Sequence, residues 1–426
     1  MEENIRTNAE PKVVIIGGGF GGLACADKLG GAAIDVTVID RRNHNLFQPL
    51  LYQVATAALS PADIAEPIRK TLGRHPNIKV ELGTVTGIIA DHKLVVMAGG
   101  RMVPYDFLVL ATGSDYNYFG NNAWRDLAPG LKSLREARQI RQRLLGAFER
   151  AELTNDPNEK RALLTSVIIG GGPTGVEMAG AISELGRFMI ARDFRNIAPE
   201  HLRVVLVEAS PRILGAFPQA LADYAENYLR NIGVDILKGE RVTAIGSQSV
   251  SIGASEIPCS TVIWGAGIKA SEAAQWLDLN EDPLGRIPVS PCLEVEGFSG
   301  IYALGDTALS IGSDGKPLPA LAQVAKQQGA YLGKNLKRLI EQGERPRPFV
   351  FENRGNTAVI GRHAAIFDFG SWQMKGRFAW FLWALVHVYL LINFEKRVLV
   401  SIQWISRYLT RQRGARIIDE TSKKAD

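Results

Sequence analysis

The 426-residue sequence predicts an α/β protein of two doubly wound nucleotide-binding domains, one inserted into the other. Three observations predict it. "VIIGGGFGGLA" at residue 14 and "VIIGGGPTGVE" at residue 167 repeat one glycine-rich grammar. "FLVLATGS" (107–114) and "TVIWGAG" (261–267) repeat a second element, a strand followed by a turn. "GIYALGDTA" (300–308) adds a strand, a glycine and an acid after the second nucleotide fold, so the first fold must be interrupted by the second.

Each element has a physical reason. Lys12 to Ile16 is a β-branched run of the kind that fills a buried parallel strand. Gly17, Gly19 and Gly22 follow in GxGxxG spacing, then a helix that ends near Gly30, then "DVTVID", which ends in Asp40. The glycines permit a tight turn and close approach of a pyrophosphate. The helix N-terminus offers free N–H groups and the positive end of its dipole. The acid accepts from a ribose diol. The second unit repeats this with Gly170, Gly172 and Gly175, Pro173 and Thr174 in the turn, and Glu208 closing the next strand. Its longer glycine-to-acid gap falls in "GRFMIARDFRNIAPE", read as an extended crossover helix and loop. Glu208 would repel a 2′-phosphate and so favour NAD over NADP, although Arg212 lies close by.

Two dinucleotide sites in one chain imply a resident flavin, FAD, and an exchangeable nicotinamide, NADH. Asp306 occupies the place where an acid meets the ribityl and phosphate part of FAD. This is the glutathione-reductase-like tandem Rossmann plan. The expected domains are 1–118 and 288–345 for FAD, 119–287 for NADH, and 346–426 at the C-terminus.

Composition narrows the partners. The net charge is +5, yet residues 371–426 hold ten Lys and Arg against four Asp and Glu, so the basic character sits in the tail. That argues against a nucleic-acid binder and for a local anionic surface. Cys25, Cys259 and Cys292 stand singly, with no dithiol pair or zinc cluster, and suit a reducing compartment. The polar start "MEENIRTNAEPK" has no secretory h-region.

The electron acceptor is read from what is missing and from the last hundred residues. "RRNHNLFQPLLYQVATAALSP" lacks the cysteine pair that a disulfide reductase carries there. "LPALAQVAKQQGAYLGKNL" (318–336) reads as a helix with Gln323 and Gln327 on one face. Those amides are either solvated or hydrogen-bond a quinone. Phe378 to Ile392 is a fifteen-residue apolar run broken only by His387, short of the roughly 20 residues that span a bilayer. Beyond it, Val398, Ile402, Ile405 and Leu409 line one helical face, with Gln403, Ser406, Arg407, Thr410 and Arg411 opposite. Trp380, Trp383, Tyr389, Trp404 and Tyr408 suit a lipid–water boundary, and the pattern is that of an amphipathic membrane anchor. A buried hairpin at a homodimer interface and a true membrane span are the other uses of such helices, and anchoring and dimerisation are compatible. His387 is expected to be packed. Glu177 either complements a helix N-terminus or stands near the flavin.

Together, "VVIIGGGFGGL", "HNLFQPLLYQVATAALSP", "VIIGGGPTGVEMAGAISEL", "YALGDTA", "ALAQVAKQQG" and the C-terminal stretch from Lys375 resemble the type II NADH:quinone oxidoreductases, over residues 12 to about 416. The resemblance implies non-covalent FAD, two-electron oxidation of NADH, and quinone reduction at a membrane surface without proton pumping. It makes Gln323 and Gln327 quinone-site glutamines, Lys375 a lysine near that site, and Glu177 a residue between flavin and acceptor. The further positions expected at the cofactors are Phe20, Arg41, Gln48, Ala111, Thr112, Gly113, Ala322 and Val324, and Gly265, Ala266 and Gly267. No metal site is expected. The protein is expected to lie peripherally on the cytoplasmic face of a bacterial cell membrane. A sulfide:quinone oxidoreductase and a non-catalytic flavin redox sensor are the rival readings.

Overall fold

The computed structural model describes residues 10–279, 282–390, 394–410 and 416–418, the side chains of 394–396 and 406–410 excepted. The chain forms two compact units, and the first is discontinuous: Met1–Leu46, Ala65–Asp115 and Ile268–Asn353. The second comprises Phe47–Ile64, Tyr116–Gly267 and Arg354–Asp426.

In the first unit five parallel strands lie in the order Ile301–Ala303, Phe107–Leu110, Lys12–Ile16, Asp35–Asp40, Ile78–Leu82. Val13, Val14, Ile15, Val36, Val38, Leu108 and Val109 are buried, as central strands covered on both faces require. The chain order reverses at Lys12–Ile16, and such a switch point opens a ligand crevice at the carboxyl ends of the strands. The helices Phe20–Leu29 and Ala322–Gln342 meet backbone to backbone. A Cβ on Gly329 would lie 2.1 Å from Gly21 O, and one on Gly333 2.4 Å from Cys25 O. The second helix begins at Ala322 rather than at Leu318, because Leu321 is extended at the N-cap.

The second unit repeats the arrangement with four parallel strands, Val234–Lys238, Arg203–Glu208, Thr165–Ile169 and Thr261–Trp264. The crossover helix runs from Pro173 to Asp193. An antiparallel sheet, Asn356–Gly361, Ala364–Asp368 and Gln373–Gly376, packs on it. Gly180 allows this, since a Cβ there would lie 1.8 Å from Ile360 O. Helices Arg377–Leu390 and Phe394–Thr410 complete the unit.

The last helix corrects one expectation. Two tryptophans expected at a lipid–water boundary turn inward, beside Gln403, the one polar-face residue whose side chain is described. Gln403 donates to Asp63 Oδ1 at 3.2 Å, and Trp404 Nε1 donates to Gln53 Oε1 at 3.0 Å. Trp383 is buried and stacks on Trp404 with centroids 5.2 Å apart, so these two rings wall the interior rather than a boundary. The apolar stripe is outside: Val398, Ile402 and Ile405 are exposed, with Phe378, Phe381, Leu385 and Tyr389 of the preceding helix. Arg411 and Ile392 lie outside the described residues, and the side chains of Ser406, Arg407, Tyr408, Leu409 and Thr410 outside the described side chains. His387 is packed, its Nδ1 2.9 Å from Trp383 O, and burial pushes its pKa down to about 4.

Candidate active site

The two glycine turns are copies in three dimensions. Gly17 has φ +106° and Gly170 φ +105°, a region that only glycine enters freely. A Cβ on Gly22 would lie 1.8 Å from Gly17 O, and one on Gly175 lies at the same 1.8 Å from Gly170 O. Gly18 N donates to Asp40 Oδ2 and Gly171 N to Glu208 Oε2, each at 2.6 Å. Arg42 N and Ser210 N meet the other oxygens, each at 2.7 Å. Both acids are therefore oriented by the turn itself, with lone pairs left for hydroxyl donors. Gly19 and Gly172 begin their helices with no side-chain cap, and a Cβ on either would meet nothing within 4 Å. Open space in front of uncapped N–H groups is the cradle a pyrophosphate fits.

The first unit adds a hydroxyl cluster at the ends of its strands. Thr112 Oγ1 lies 2.5 Å from Ser271 Oγ and 3.1 Å from Thr307 Oγ1. Gly113 N donates to Thr307 Oγ1 at 2.8 Å, and Ser114 Oγ donates to Asp306 Oδ2 at 2.5 Å. Gly17, Gly19, Phe20, Gly22, Asp40, Ala111, Thr112, Gly113 and Asp306 thus share one sheet edge. Arg41 is exposed beside Asp40. Ala322, Gln323 and Val324 form the first turn of the Ala322–Gln342 helix, with Val324 buried. Gln48 belongs to the second unit.

The second unit carries a half-open cavity of about 580 Å³. Glu177, Ala181, Glu184 and Phe188 line it from one face of the Pro173–Asp193 helix. Tyr52 and Gln53, Arg362 and His363, and the three tryptophans Trp380, Trp383 and Trp404 close it. Glu177 accepts from Val359 N at 3.4 Å, and burial raises its pKa to about 8. A neutral carboxyl is therefore the main form at pH 7.

Lys375 is not among the residues that line this cavity, and Gln327 belongs to the first unit. Lys375 is exposed, its ammonium 5.6 Å from the Tyr224 ring centroid. Gln327, in the first unit, donates to Glu352 O at 2.9 Å and accepts from Glu352 N at 3.0 Å, so its amide clamps a loop. Cys25, Cys259 and Cys292 are unpaired, and burial pushes the Cys25 thiol up to about 12.

The family model for pyridine nucleotide-disulphide oxidoreductases matches residues 11–329, and that for the NDH2 C-terminal domain matches residues 353–413. The type II NADH:quinone oxidoreductase NdhA of Mycobacterium tuberculosis is 37% identical over 419 residues, covering 95% of this chain and 88% of that protein. The chain belongs to the type II NADH:quinone oxidoreductases. Its activity is NADH:quinone oxidoreduction. An internal alternative NAD(P)H-ubiquinone oxidoreductase of Arabidopsis thaliana mitochondria is 30% identical, over 94% of this chain and 84% of its own. The fold is that of Plasmodium falciparum NDH2 solved with NADH, with TM-score 0.85, 22% identity, and 93% and 98% of the two chains covered. A sulfide:quinone oxidoreductase from Aquifex aeolicus shares it at TM-score 0.70 and 19% identity, over 91% of each chain.

For a type II NADH:quinone oxidoreductase, the sequence reading omitted the cavity walls Glu184, Arg362 and His363, and the hydroxyls Ser271 and Thr307. No local motif marks them. Tyr52 and Gln53 lay inside the quoted "PLLYQVA" stretch, and Trp383 and Trp404 were visible only as amphipathic rings.

Proposed function

We propose that the protein binds NADH at the Gly170–Gly175 turn, holds FAD non-covalently at the Gly17–Gly22 turn, and reduces a membrane quinone without moving protons across the membrane. The duplicated turn geometry carries this reading, because two pyrophosphate cradles in one chain serve two dinucleotides. When bound, FAD supplies the two-electron chemistry that joins the two substrates. Asp40 and Asp306 would hold it, with Thr112, Gly113 and Arg41 as further contacts. Glu208 orients the adenosine ribose of NADH, and Arg212 is already engaged, donating to Gln219 Oε1 at 2.8 Å and Gly215 O at 2.6 Å. That favours NADH over NADPH.

The quinone ring is assigned to the tryptophan-walled cavity, where Glu177 offers a proton at pH 7. Gln323 belongs to the quinone side by family resemblance. Gln327 and Lys375 are assigned to quinone reduction by the same resemblance.

The outward apolar stripe of the last two helices rests on lipid. Phe378 is 81% exposed, Leu385 68% and Ile405 62%, on helices whose polar groups Gln403 and Trp404 point inward. Exposed apolar side chains of this size lose about 1.5–3 kcal/mol each by staying in water. Among the described residues no helix is long and apolar enough to cross a membrane, so the contact is with one leaflet. Exposed Lys375 and Arg377 at its margin suit anionic headgroups. Single cysteines without a disulfide are compatible with a reducing, cytoplasmic side.

An anaerobic titration tests the reading. NADH bleaches the bound flavin with one equivalent, and a quinone restores the colour. Bleaching by sulfide with no effect of NADH would assign the chain to the rival enzyme, and no bleaching by either would make it a flavin sensor.

A further inference from the structure

One aromatic ring is largely exposed on a left-handed backbone, tilted against Trp264 with centroids 6.3 Å apart. Phe119 is 62% exposed, and its backbone has φ +50°, a left-handed conformation that is an outlier for a bulky residue. The segment around it is fixed. Asn117 N donates to Gly267 O at 3.4 Å, Trp264 Nε1 donates to Asn117 O at 3.1 Å, and Phe119 N donates to Asn117 Oδ1 at 2.8 Å. Tyr118 stacks on Trp264 with centroids 4.9 Å apart, which anchors the residue before it. The Phe119 ring itself lies on Gly267, where an added Cβ would come within 2.6 Å of Phe119 Cζ. A glycine at 119 would relieve the backbone, and a polar residue would suit the exposure. Strain that persists beside a ligand crevice points to use by the ligand.

The position identifies the ligand's part. Glu208 ends the strand on one side of the switch point and marks the adenosine end of a bound dinucleotide. Thr261–Trp264 lies on the other side, directly paired with Thr165–Ile169. The loop Gly265–Gly267 that follows it therefore flanks the nicotinamide half, beyond the pyrophosphate at Gly172.

We propose that Phe119 is a binding residue for NADH, its ring forming the wall against which the nicotinamide riboside lies. This rests on the docking of NADH at the second turn proposed above. The test compares full-length FAD-loaded protein with F119G and F119L, using NAD+ and ADP-ribose as probes. ADP-ribose keeps every group up to the second ribose and lacks the nicotinamide. F119G should weaken NAD+ about tenfold, the scale of one aromatic contact, leave ADP-ribose within about twofold, and melt no lower than the parent because glycine accepts φ +50°. KM for NADH should rise while KM for quinone holds, with F119L intermediate. Equal weakening of both probes, unchanged NAD+ affinity, or a melting point several degrees lower in F119G would each overturn the proposal. A parent protein that binds neither probe would instead remove the reading of the second turn, and this proposal with it.

Discussion

Glu177→Gln tests the buried carboxyl through stability rather than turnover. Burial raises the Glu177 pKa from 4.5 to about 8. In the unfolded chain it titrates near its ordinary value, so between about pH 4.5 and 8 the native state keeps a proton that the unfolded state has lost. Stability must then fall as pH rises through that window, and stay level above it. The full displacement corresponds to about 5 kcal/mol. The side chain faces a cavity that water can enter, and discounting for that leaves about 2–3 kcal/mol. Glutamine keeps the shape and cannot ionise, so the variant lacks this component. Thermal melting of both proteins at pH 5 and pH 9 reads it. The variant should gain on the parent at pH 9 relative to pH 5, by roughly 2–3 °C for a chain of this size. An identical difference in melting point at the two pH values would refute the argument that the carboxyl is neutral when folded.

The other predictions concern separate steps. Gln327→Ala releases the Glu352 loop and should slow quinone reduction more than NADH-driven flavin bleaching in stopped-flow absorbance. Equal loss in both half-reactions contradicts its placement on the quinone side. Glu208→Gln weakens charge-assisted bonds to the ribose, so the preference for NADH over NADPH, read as the ratio of kcat/KM values, should shrink by about tenfold. Replacing Phe378, Leu385 and Ile402 together by serine should weaken binding to anionic phospholipid vesicles by at least about a hundredfold. Flavin bleaching by NADH in solution should be unaffected. Unchanged flotation with a shift from dimer to monomer in sedimentation would make the stripe a subunit interface.

How much of this a reader could extract from the sequence depends on the range of the interactions involved. The turns were legible because their geometry is local. Gly17 must reach a positive φ, Gly22 must let Gly17 O approach, and Asp40 must close the next strand. All three demands fall within one βαβ unit, so spacing alone encodes them. The cavity was not legible for the opposite reason. Tyr52, Glu177, Arg362, Trp383 and Trp404 come from five separated stretches, and what joins them is packing that glycines permit, such as Gly180 under Ile360 O. A glycine inside a helix advertises only a missing side chain, not the strand that will occupy its place. The C-terminal helices fall between these cases. Periodicity located the stripe of Val398, Ile402 and Ile405, because helical spacing is a property of the chain itself. It could not say that Gln403 and Trp404 would turn inward, since their partners Asp63 and Gln53 lie more than three hundred residues earlier. That inward hydrogen bonding is also what gives the exposed stripe its meaning. A helix pinned by its polar groups cannot roll its apolar face into the core, so the apolar face is held outward by design of the fold rather than left there for want of room.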